Sequence, residues 1–249
     1  MSFCDIAYPR GSASPWARSP TGAEVVGFSA ITGSIPRVRR RCAKPRHRLV
    51  RRAATSKDVH AVAACLASAF YDDPLWGRWT FPDEATRSER VYELMRFWTA
   101  AAARYPWVRM TDNAEAAAVW IPPGEPEMTA EEERGFATLI GELVGGRAGE
   151  LNDLLDRFDE HHPKEPPHYY LSLWGTHRDH AGRGVGSALI RDNLARIDRE
   201  GMPAYVESSN PANLPRYEAL GFTQTGEFGP DGGPQVTTMW REAKPVATR

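Results

Sequence analysis

A glycine-rich turn between a strand and a helix constrains the fold more than any other part of the sequence. Within the segment Ala181–Gly186, glycine occupies every second position. The β-branched and aromatic run Tyr169–Thr176 before it predicts a central strand. In Ser187–Arg199, which follows the turn, apolar residues recur at helical spacing. The turn therefore connects a strand to an amphipathic helix.

The spacing of the glycines favours an anion-binding site. Glycine tolerates positive φ and has no Cβ, so successive backbone N–H groups can converge on one point beside the positive end of the helix. A Walker loop is disfavoured because no Lys and Ser/Thr pair follows the last glycine. A dinucleotide fingerprint is disfavoured because Leu189 stands where its third glycine belongs. A tight turn without a ligand is the alternative, but these glycines exceed what a turn needs.

Apolar periodicity from residue 49 onward predicts one domain, residues 49–249, built of helices and strands. Thr55 followed by Asp58 predicts a capped start for the first helix. The predicted helices are Val59–Phe70, Glu84–Tyr105, Met128–Gly146 and Leu151–Phe158, and the further predicted strands are Leu49–Ala54, Val108–Thr111, Ala116–Ile121 and Ala204–Ser208.

Residues 1–48 differ from the rest of the chain in composition. They are rich in Gly, Ser, Pro and Arg and show no sustained apolar period. Residues 1–54 hold 11 of the 31 Lys and Arg but only 2 of the 32 Asp and Glu. We expect residues 1–48 to form a disordered basic arm, most simply a solvated tail. Nucleic-acid binding by the arginine cluster at residues 37–48 is the weaker alternative.

The overall composition is that of a soluble globular protein. The chain has 249 residues, of which 41% are hydrophobic and 25% charged. It has no run of about 18 apolar residues, so we expect a cytoplasmic protein without a membrane span. Three cysteines without CxxC spacing support neither a disulfide framework nor a zinc site. His177 and His180 lack a third ligand at suitable spacing, so we expect no metal.

The run His168–Trp240 resembles the acetyl-coenzyme A (acetyl-CoA) binding core of the GNAT N-acetyltransferase superfamily. The order of strand, glycine turn, helix, strand and the segment Asn213–Phe222 carries the resemblance. It implies an α/β (α+β) GNAT fold, a mixed sheet of six to seven strands flanked by helices, in which a splayed strand pair receives acetyl-CoA. Within the superfamily, residues 49–241 are similar to the puromycin N-acetyltransferases. This closer similarity is carried by His161–Pro166, Pro203 and Ala204.

The resemblance implies that the glycine turn holds the pyrophosphate of acetyl-CoA. The superfamily has Gln or Arg where this chain has Ala181, so one side chain is lost while the backbone donors remain. Arg183 can supply charge instead. Asn213, one helical turn before Tyr217, would hold the pantetheine amides. The implied coenzyme-binding residues are Leu173, Trp174, Gly175, Thr176, Ala181, Gly182, Arg183, Gly184, Val185, Gly186, Ser187, Asn213 and Tyr217.

The resemblance also implies direct transfer of the acetyl group to an amine in a ternary complex, without an acyl-enzyme. Backbone N–H groups at a bulge near Leu173 and Trp174 would stabilise the thioester oxygen. Tyr217 would donate a proton to the departing thiolate, with aromatic packing as its alternative role. Cys65 lies on the apolar stripe of the first helix and is expected in the core.

The sequence leaves the base that deprotonates the amine open. Glu207, on the predicted strand Ala204–Ser208, is our first choice. Loop histidines and exposed carboxylates are common, and water can also relay a proton. The other candidates are His161, His162, Asp72 and Asp73.

The acceptor site is expected near the end of the first helix, where aromatic rings lie beside carboxylates. Such walls suit a cationic, partly planar amine. We therefore expect a small-molecule primary amine as partner, an antibiotic among the options, and a monomer or homodimer. A protein or peptide N-acetyltransferase and a non-catalytic acyl-CoA-binding regulatory protein are the alternatives. The implied acceptor residues are Phe70, Asp72, Asp73, Trp76 and His161.

Overall fold

Seven strands and six α-helices are present in the computed structural model, which describes residues 51–245. The predicted arm, residues 1–48, lies outside this range. The strands are β1 (Arg51–Ala53), β2 (Val108–Thr111), β3 (Ala116–Ile121), β4 (Tyr169–Thr176), β5 (Ala204–Ser208), β6 (Thr223–Phe228) and β7 (Val236–Arg241). The helices are α1 (Val59–Phe70), α2 (Glu84–Ala102), α3 (Ala130–Val144), α4 (Ala148–His161), α5 (Val185–Arg199) and α6 (Leu214–Glu218).

The seven strands form one mixed sheet in the order β1-β2-β3-β4-β5-β7-β6. This confirms the predicted fold class. Strands β4 and β5 run parallel, and the other neighbouring strands run antiparallel. Pairing between β4 and β5 covers only Tyr169–Leu171 against Ala204–Val206. Beyond these residues the two strands diverge, which opens the sheet at their carboxyl ends.

Helices cover both faces of the sheet. Helices α1 to α4 pack on one face around a core that includes Val119 and Leu173 of the sheet. Helices α5 and α6 pack on the other face around Trp120 and Leu171. Because both faces are covered, every residue of β3 is buried, and its side chains alternate between the two cores.

A β-bulge at Ser172 reverses the direction in which the side chains of β4 point. Val119 lies opposite Leu173 and Trp120 lies opposite Leu171, so Ser172 has no partner on β3. Leu171 packs on the α5 face, whereas Leu173 packs on the α1 face. The bulge was predicted near Leu173 and Trp174, and it lies one residue earlier.

Most predicted boundaries are confirmed, and six helix ends were wrong. Helix α3 is two residues shorter at each end than the predicted Met128–Gly146. Helix α5 begins at Val185, two residues early, because Gly184 adopts φ +74° and starts the helix at once. Helix α2 ends at Ala102, three residues early, since a tight turn follows it. Helix α4 extends beyond the predicted Leu151–Phe158 at both ends. The preceding helix α3 ends before Gly145, where φ is +57°. Within residues 51–245, no helix combines the length and apolarity that crossing a bilayer requires.

Candidate active site

A cavity of about 600 Å³ lies where β4 and β5 diverge, between the end of α1 and the starts of α5 and α6. It is the space that the predicted coenzyme and acceptor sites share. The predicted residues that line it are Phe70, Asp72, Asp73, Trp76, Trp174, Gly175, Thr176, Ala181, Gly182, Gly184, Val185, Gly186, Ser187, Glu207, Asn213 and Tyr217.

Three predicted site residues do not line the cavity. The side chain of Leu173 is buried in the core against α1 because of the bulge. Arg183 is exposed at the tip of the glycine turn. His161 is exposed at the end of α4, where its ring stacks on Phe228 with centroids 4.5 Å apart. These positions argue against a direct role in the cavity for the side chain of Leu173 and for that of His161.

The glycine turn presents unused backbone donors to the cavity. Gly182 and Gly184 both adopt φ +74°, a region that side chains disfavour. Among the described residues, no hydrogen bond engages the backbone N–H groups of residues 182–187, and the first one beyond them is Ala188 N–H to the Gly184 carbonyl at 3.0 Å. The N-terminal end of α5 adds its dipole at this point. Free N–H groups at the start of a helix suit an anion, which is the ligand that the spacing of the glycines favours.

Gly186 has a different purpose from the other two glycines. A Cβ at this position would lie 2.2 Å from Thr176 Oγ1 and 3.1 Å from Trp174 Nε1. Its role is thus to let α5 approach β4 closely. The sequence did not distinguish this packing role from anion binding, because both favour glycine.

Two arginines that the sequence analysis missed compensate for Ala181. Arg178 and Arg216 line the same cavity. Arg216 is held by a hydrogen bond from its Nη1 to Asn213 Oδ1 at 3.1 Å, and Arg178 stacks 5.0 Å from the ring centroid of Tyr71. Their only sequence signal was their position just before the turn and within α6. The cavity thus retains positive charge although Ala181 has none to offer.

Tyr217 forms part of the cavity wall and is 6% exposed. Its ring packs edge-on against Trp174, with centroids 5.4 Å apart. Within the described part of the chain, its hydroxyl has no hydrogen-bond partner. Burial, reinforced by the nearby charge of Asp73, raises the pKa of Tyr217 above its ordinary value. The phenol therefore stays neutral and faces the cavity as a free donor, and it packs as well.

Asp73 ties the segment that follows α1 to the segment that follows β5. Its Oδ1 accepts hydrogen bonds from the backbone N–H groups of Leu75 and Trp76, at 3.0 and 2.9 Å. Its Oδ2 accepts one from Ser209 Oγ at 2.9 Å, just after β5. Burial raises the pKa of this carboxyl. Because two of its three donors are backbone N–H groups of the segment after α1, Asp73 fixes the shape of this part of the site.

Glu207 is the base candidate with the most favourable position. Its side chain is only 2% exposed, yet it lines the cavity. Two phenols hold its carboxylate: Tyr170 donates to Oε2 at 2.7 Å and Tyr205 donates to Oε1 at 3.0 Å. By contrast, the Asp72 side chain is 64% exposed and pairs with Arg78 at 3.0 Å.

A second carboxylate, Glu127, was missed because it lies in a loop without a recognisable pattern. The hydroxyl of Ser172, the bulge residue, donates a hydrogen bond to Glu127 Oε1 and also borders the cavity. Burial raises the pKa of Glu127, and the charge of Glu207 raises it further. These shifts favour the neutral form of Glu127, and of the two side chains it is Glu207 that lines the cavity, opposite the glycine turn.

Cys65 is 1% exposed and lies in the core against the sheet, as predicted. Burial raises the pKa of its thiol to about 12. A thiol that stays protonated at neutral pH is a poor nucleophile. An acyl-enzyme at this cysteine is therefore disfavoured.

Comparison with known proteins identifies the class. Residues 88–222, more than half of the chain, match the acetyltransferase (GNAT) family. The chain belongs to this family, whose members are transferases that use acetyl-CoA. An uncharacterised N-acetyltransferase of Schizosaccharomyces pombe is 27% identical over 179 residues, which cover 67% of this chain and 71% of the relative.

Two solved structures show the same fold. The structure of histone acetyltransferase HPA2 and related acetyltransferase from Corynebacterium glutamicum aligns with a TM-score of 0.55 at 22% identity, over 80% of this chain and 98% of that one. Arylalkylamine N-acetyltransferase 2 from Aedes aegypti aligns with a TM-score of 0.55 at 11% identity, over 78% and 99% of the two chains. At these identities the likeness concerns the fold.

Proposed function

We propose that this protein transfers the acetyl group of acetyl-CoA directly to the primary amine of a small cationic molecule. One observation carries the proposal. The same cavity has unused backbone N–H groups at residues 182–187 on one side and the buried carboxylate of Glu207 on the other. The first suits a diphosphate and the second suits an ammonium group.

The residues of the cavity fit the coenzyme. Acetyl-CoA supplies an acetyl group already activated as a thioester. The N–H groups of residues 182–187 would hold its pyrophosphate, with Arg178 and Arg216 adding charge. Asn213, which lines the cavity beside Tyr217, would bind the amide groups of the pantetheine arm. The free edge of β4 beyond Leu171 offers further backbone donors to the thioester oxygen.

Tyr217 would assist departure of the thiolate by donating a hydrogen bond to sulfur. Because burial raises the pKa of its phenol above that of an ordinary thiol, complete proton transfer from Tyr217 to the sulfur is uphill. Hydrogen bonding without full transfer costs no such energy and still stabilises the developing charge. Tyr217 is therefore best described as a neutral donor.

Glu207 would take the proton that makes the acceptor amine nucleophilic. An amine attacks a thioester once it is neutral, so no covalent enzyme intermediate is needed. The carboxylate is fixed by Tyr170 and Tyr205, which leaves it oriented while it still borders the cavity. Such positioning lowers the reorganisation needed at the moment of proton transfer.

The acceptor would lie between the aromatic end of α1 and Glu207. Phe70 and Trp76 line this part of the cavity, and Asp72 borders it from the exposed side. Aromatic faces and carboxylates together favour a cationic amine with a planar part. The resemblance to puromycin N-acetyltransferases inferred from His161–Pro166 makes antibiotic amines a candidate class. A lysine side chain of a peptide is the second candidate acceptor, since the cavity has an open mouth.

The test is acetyl-CoA-dependent thiol release with puromycin, tryptamine, agmatine, spermidine and a lysine-containing peptide. We expect turnover of at least one small amine, saturable in amine and in acetyl-CoA, and loss of turnover in Glu207→Gln with acetyl-CoA binding retained. Preference for the peptide would replace the small-amine proposal with the protein-directed alternative. Tight acetyl-CoA binding without turnover of any acceptor would support a non-catalytic role.

A further inference from the structure

A polar cluster adjoins Glu207 outside the residues that line the cavity. It contains His162, which follows α4, and His168, which precedes β4. His162 packs edge-on against Tyr170 and Tyr205, the two residues that hold Glu207, with ring centroids 4.7 and 5.0 Å apart. The cluster therefore connects Glu207, which lines the cavity, with His162, whose side chain is partly exposed.

The hydrogen-bond partners determine which ring nitrogens carry protons. His168 Nδ1 lies 2.8 Å from the carbonyl oxygen of Pro166, which can only accept, so this nitrogen carries the proton. Burial lowers the pKa of His168, which keeps the ring neutral and leaves Nε2 as an acceptor. His162 Nε2 lies 3.3 Å from that nitrogen and must therefore be the donor.

This assignment leaves His162 Nδ1 with a free lone pair directed at Glu207. In neutral His162 only one ring nitrogen is protonated, and that nitrogen is Nε2. Nδ1 lies 3.7 Å from Glu207 Oε1. Catalytic hydrogen bonds are often long in the absence of substrate and tighten when substrate binds. A small movement of His162 towards Glu207 would therefore form this hydrogen bond.

We propose that His162 accepts the proton that Glu207 takes from the acceptor amine and returns it to water, an inference that rests on the proposed role of Glu207. First an N–H bond of the ammonium breaks and an O–H bond forms on Glu207. That O–H bond then breaks as an N–H bond forms at His162 Nδ1, which restores the carboxylate. The side chain of His162 is 26% exposed, against 2% for Glu207, so water can remove the proton from the imidazolium.

The other groups that face His162 do not compete for this proton. Burial raises the pKa of both Tyr170 and Tyr205, so these phenols stay protonated and serve as donors to Glu207. Burial raises the pKa of Glu127, which favours its neutral form, and Glu127 accepts a hydrogen bond from Ser172, not from His162. His168 Nε2 accepts a hydrogen bond from His162 Nε2. Glu207 and His162 are thus the two proton acceptors in line with the cavity.

The experiment compares wild type, His162→Gln and Glu207→Gln on each amine of the panel that the wild type acetylates. We expect His162→Gln to lower kcat about tenfold or more, with the KM for acetyl-CoA unchanged. Added imidazole should restore part of the lost rate in proportion to its concentration, because a small base can replace the missing ring. The control is His60→Gln, whose histidine lies on α1 and bonds to Tyr92 at 2.7 Å.

The outcomes separate the two proposals. Loss of activity in Glu207→Gln with a normal, imidazole-independent rate in His162→Gln would overturn the relay and leave Glu207 as base. Normal activity in Glu207→Gln, or no turnover by the wild type, would overturn both. If circular dichroism shows that His162→Gln is unfolded, His162→Asn takes its place, and the same loss of kcat and rescue by imidazole decide for or against the relay.

Discussion

Replacing Gly186 with alanine tests whether close contact between α5 and β4 positions the glycine turn. The added Cβ would lie 2.2 Å from Thr176 Oγ1, far inside van der Waals contact. Only one of the three staggered rotamers of Thr176 points its hydrogen at the added Cβ, since the other two place Oγ1 or the methyl group there. Even in that rotamer the Cβ lies 3.1 Å from Trp174 Nε1, so we expect the start of α5 to move, and residues 182–187 with it.

The size of the effect follows from two opposing contributions. Overpacking at a buried contact costs about 1–3 kcal/mol. Alanine in place of glycine in a helix recovers about 0.5–1 kcal/mol. We expect a net loss of about 1–2 kcal/mol, or a Tm lower by roughly 2–8 °C for a domain of this size. Weaker acetyl-CoA binding should accompany it, because the displaced N–H groups no longer converge.

Thermal melting and acetyl-CoA titration measure the two effects. The matched control is Gly141→Ala in α3, where no atom lies within 4 Å of the added Cβ, and it should be neutral or stabilising. The double variant Gly186→Ala with Thr176→Ala removes the clashing oxygen and should recover most of the loss. Wild-type Tm and wild-type affinity in Gly186→Ala alone would refute the packing argument.

Three further outcomes follow from the structure. Tyr217→Phe should lower kcat at least about tenfold with little change in the KM for acetyl-CoA, and a loss below about twofold, under 0.5 kcal/mol, would rule out the donor role. Cys65 should resist iodoacetamide at pH 8 until the protein unfolds, as peptide mapping can show, because burial raises the pKa of its thiol to about 12. Asp198→Asn should cost about 3–5 kcal/mol in urea unfolding, since it leaves Arg241, 2% exposed, without its carboxylate. Burial opposes ionisation of Asp198, but the pairing with Arg241 holds the pKa of Asp198 below its ordinary value. The stabilisation by this pair is therefore complete above about pH 4 and is lost as the pH falls further. The stability of Asp198→Asn should not show this loss in an acid titration.

Local signals predicted the elements of the fold well. The hairpin strands Val108–Thr111 and Ala116–Ile121 and the strand Tyr169–Thr176 have the predicted ends. Alternation, β-branched residues and the turn residues beside them are properties of a few consecutive positions, so a single sequence contains them. The helix ends were less accurate, since capping and tight turns shift them by a few residues.

The candidate site was predicted only in part, because much of it joins residues distant in the chain. Glu207 was a plausible base among five candidates, and its contacts with Tyr170 and Tyr205 distinguish it. His161 belonged to the same expectation and lies outside the cavity, while the neighbouring His162 faces Glu207. Nothing in the local sequence separates two adjacent histidines, since their directions depend on how α4 meets the sheet.

The sequence by itself determined the strand, the glycine turn and the helix that follows, and with them the unused N–H groups that suit a diphosphate. These properties depend on backbone conformation and side-chain size at neighbouring positions. The tertiary structure alone decided that Ser172 bulges, that β4 and β5 part beyond Leu171, and that Tyr170 and Tyr205 hold Glu207 at the cavity. Their reason is physical: strand pairing and burial bring together groups whose separation along the chain carries no information about their distance in space.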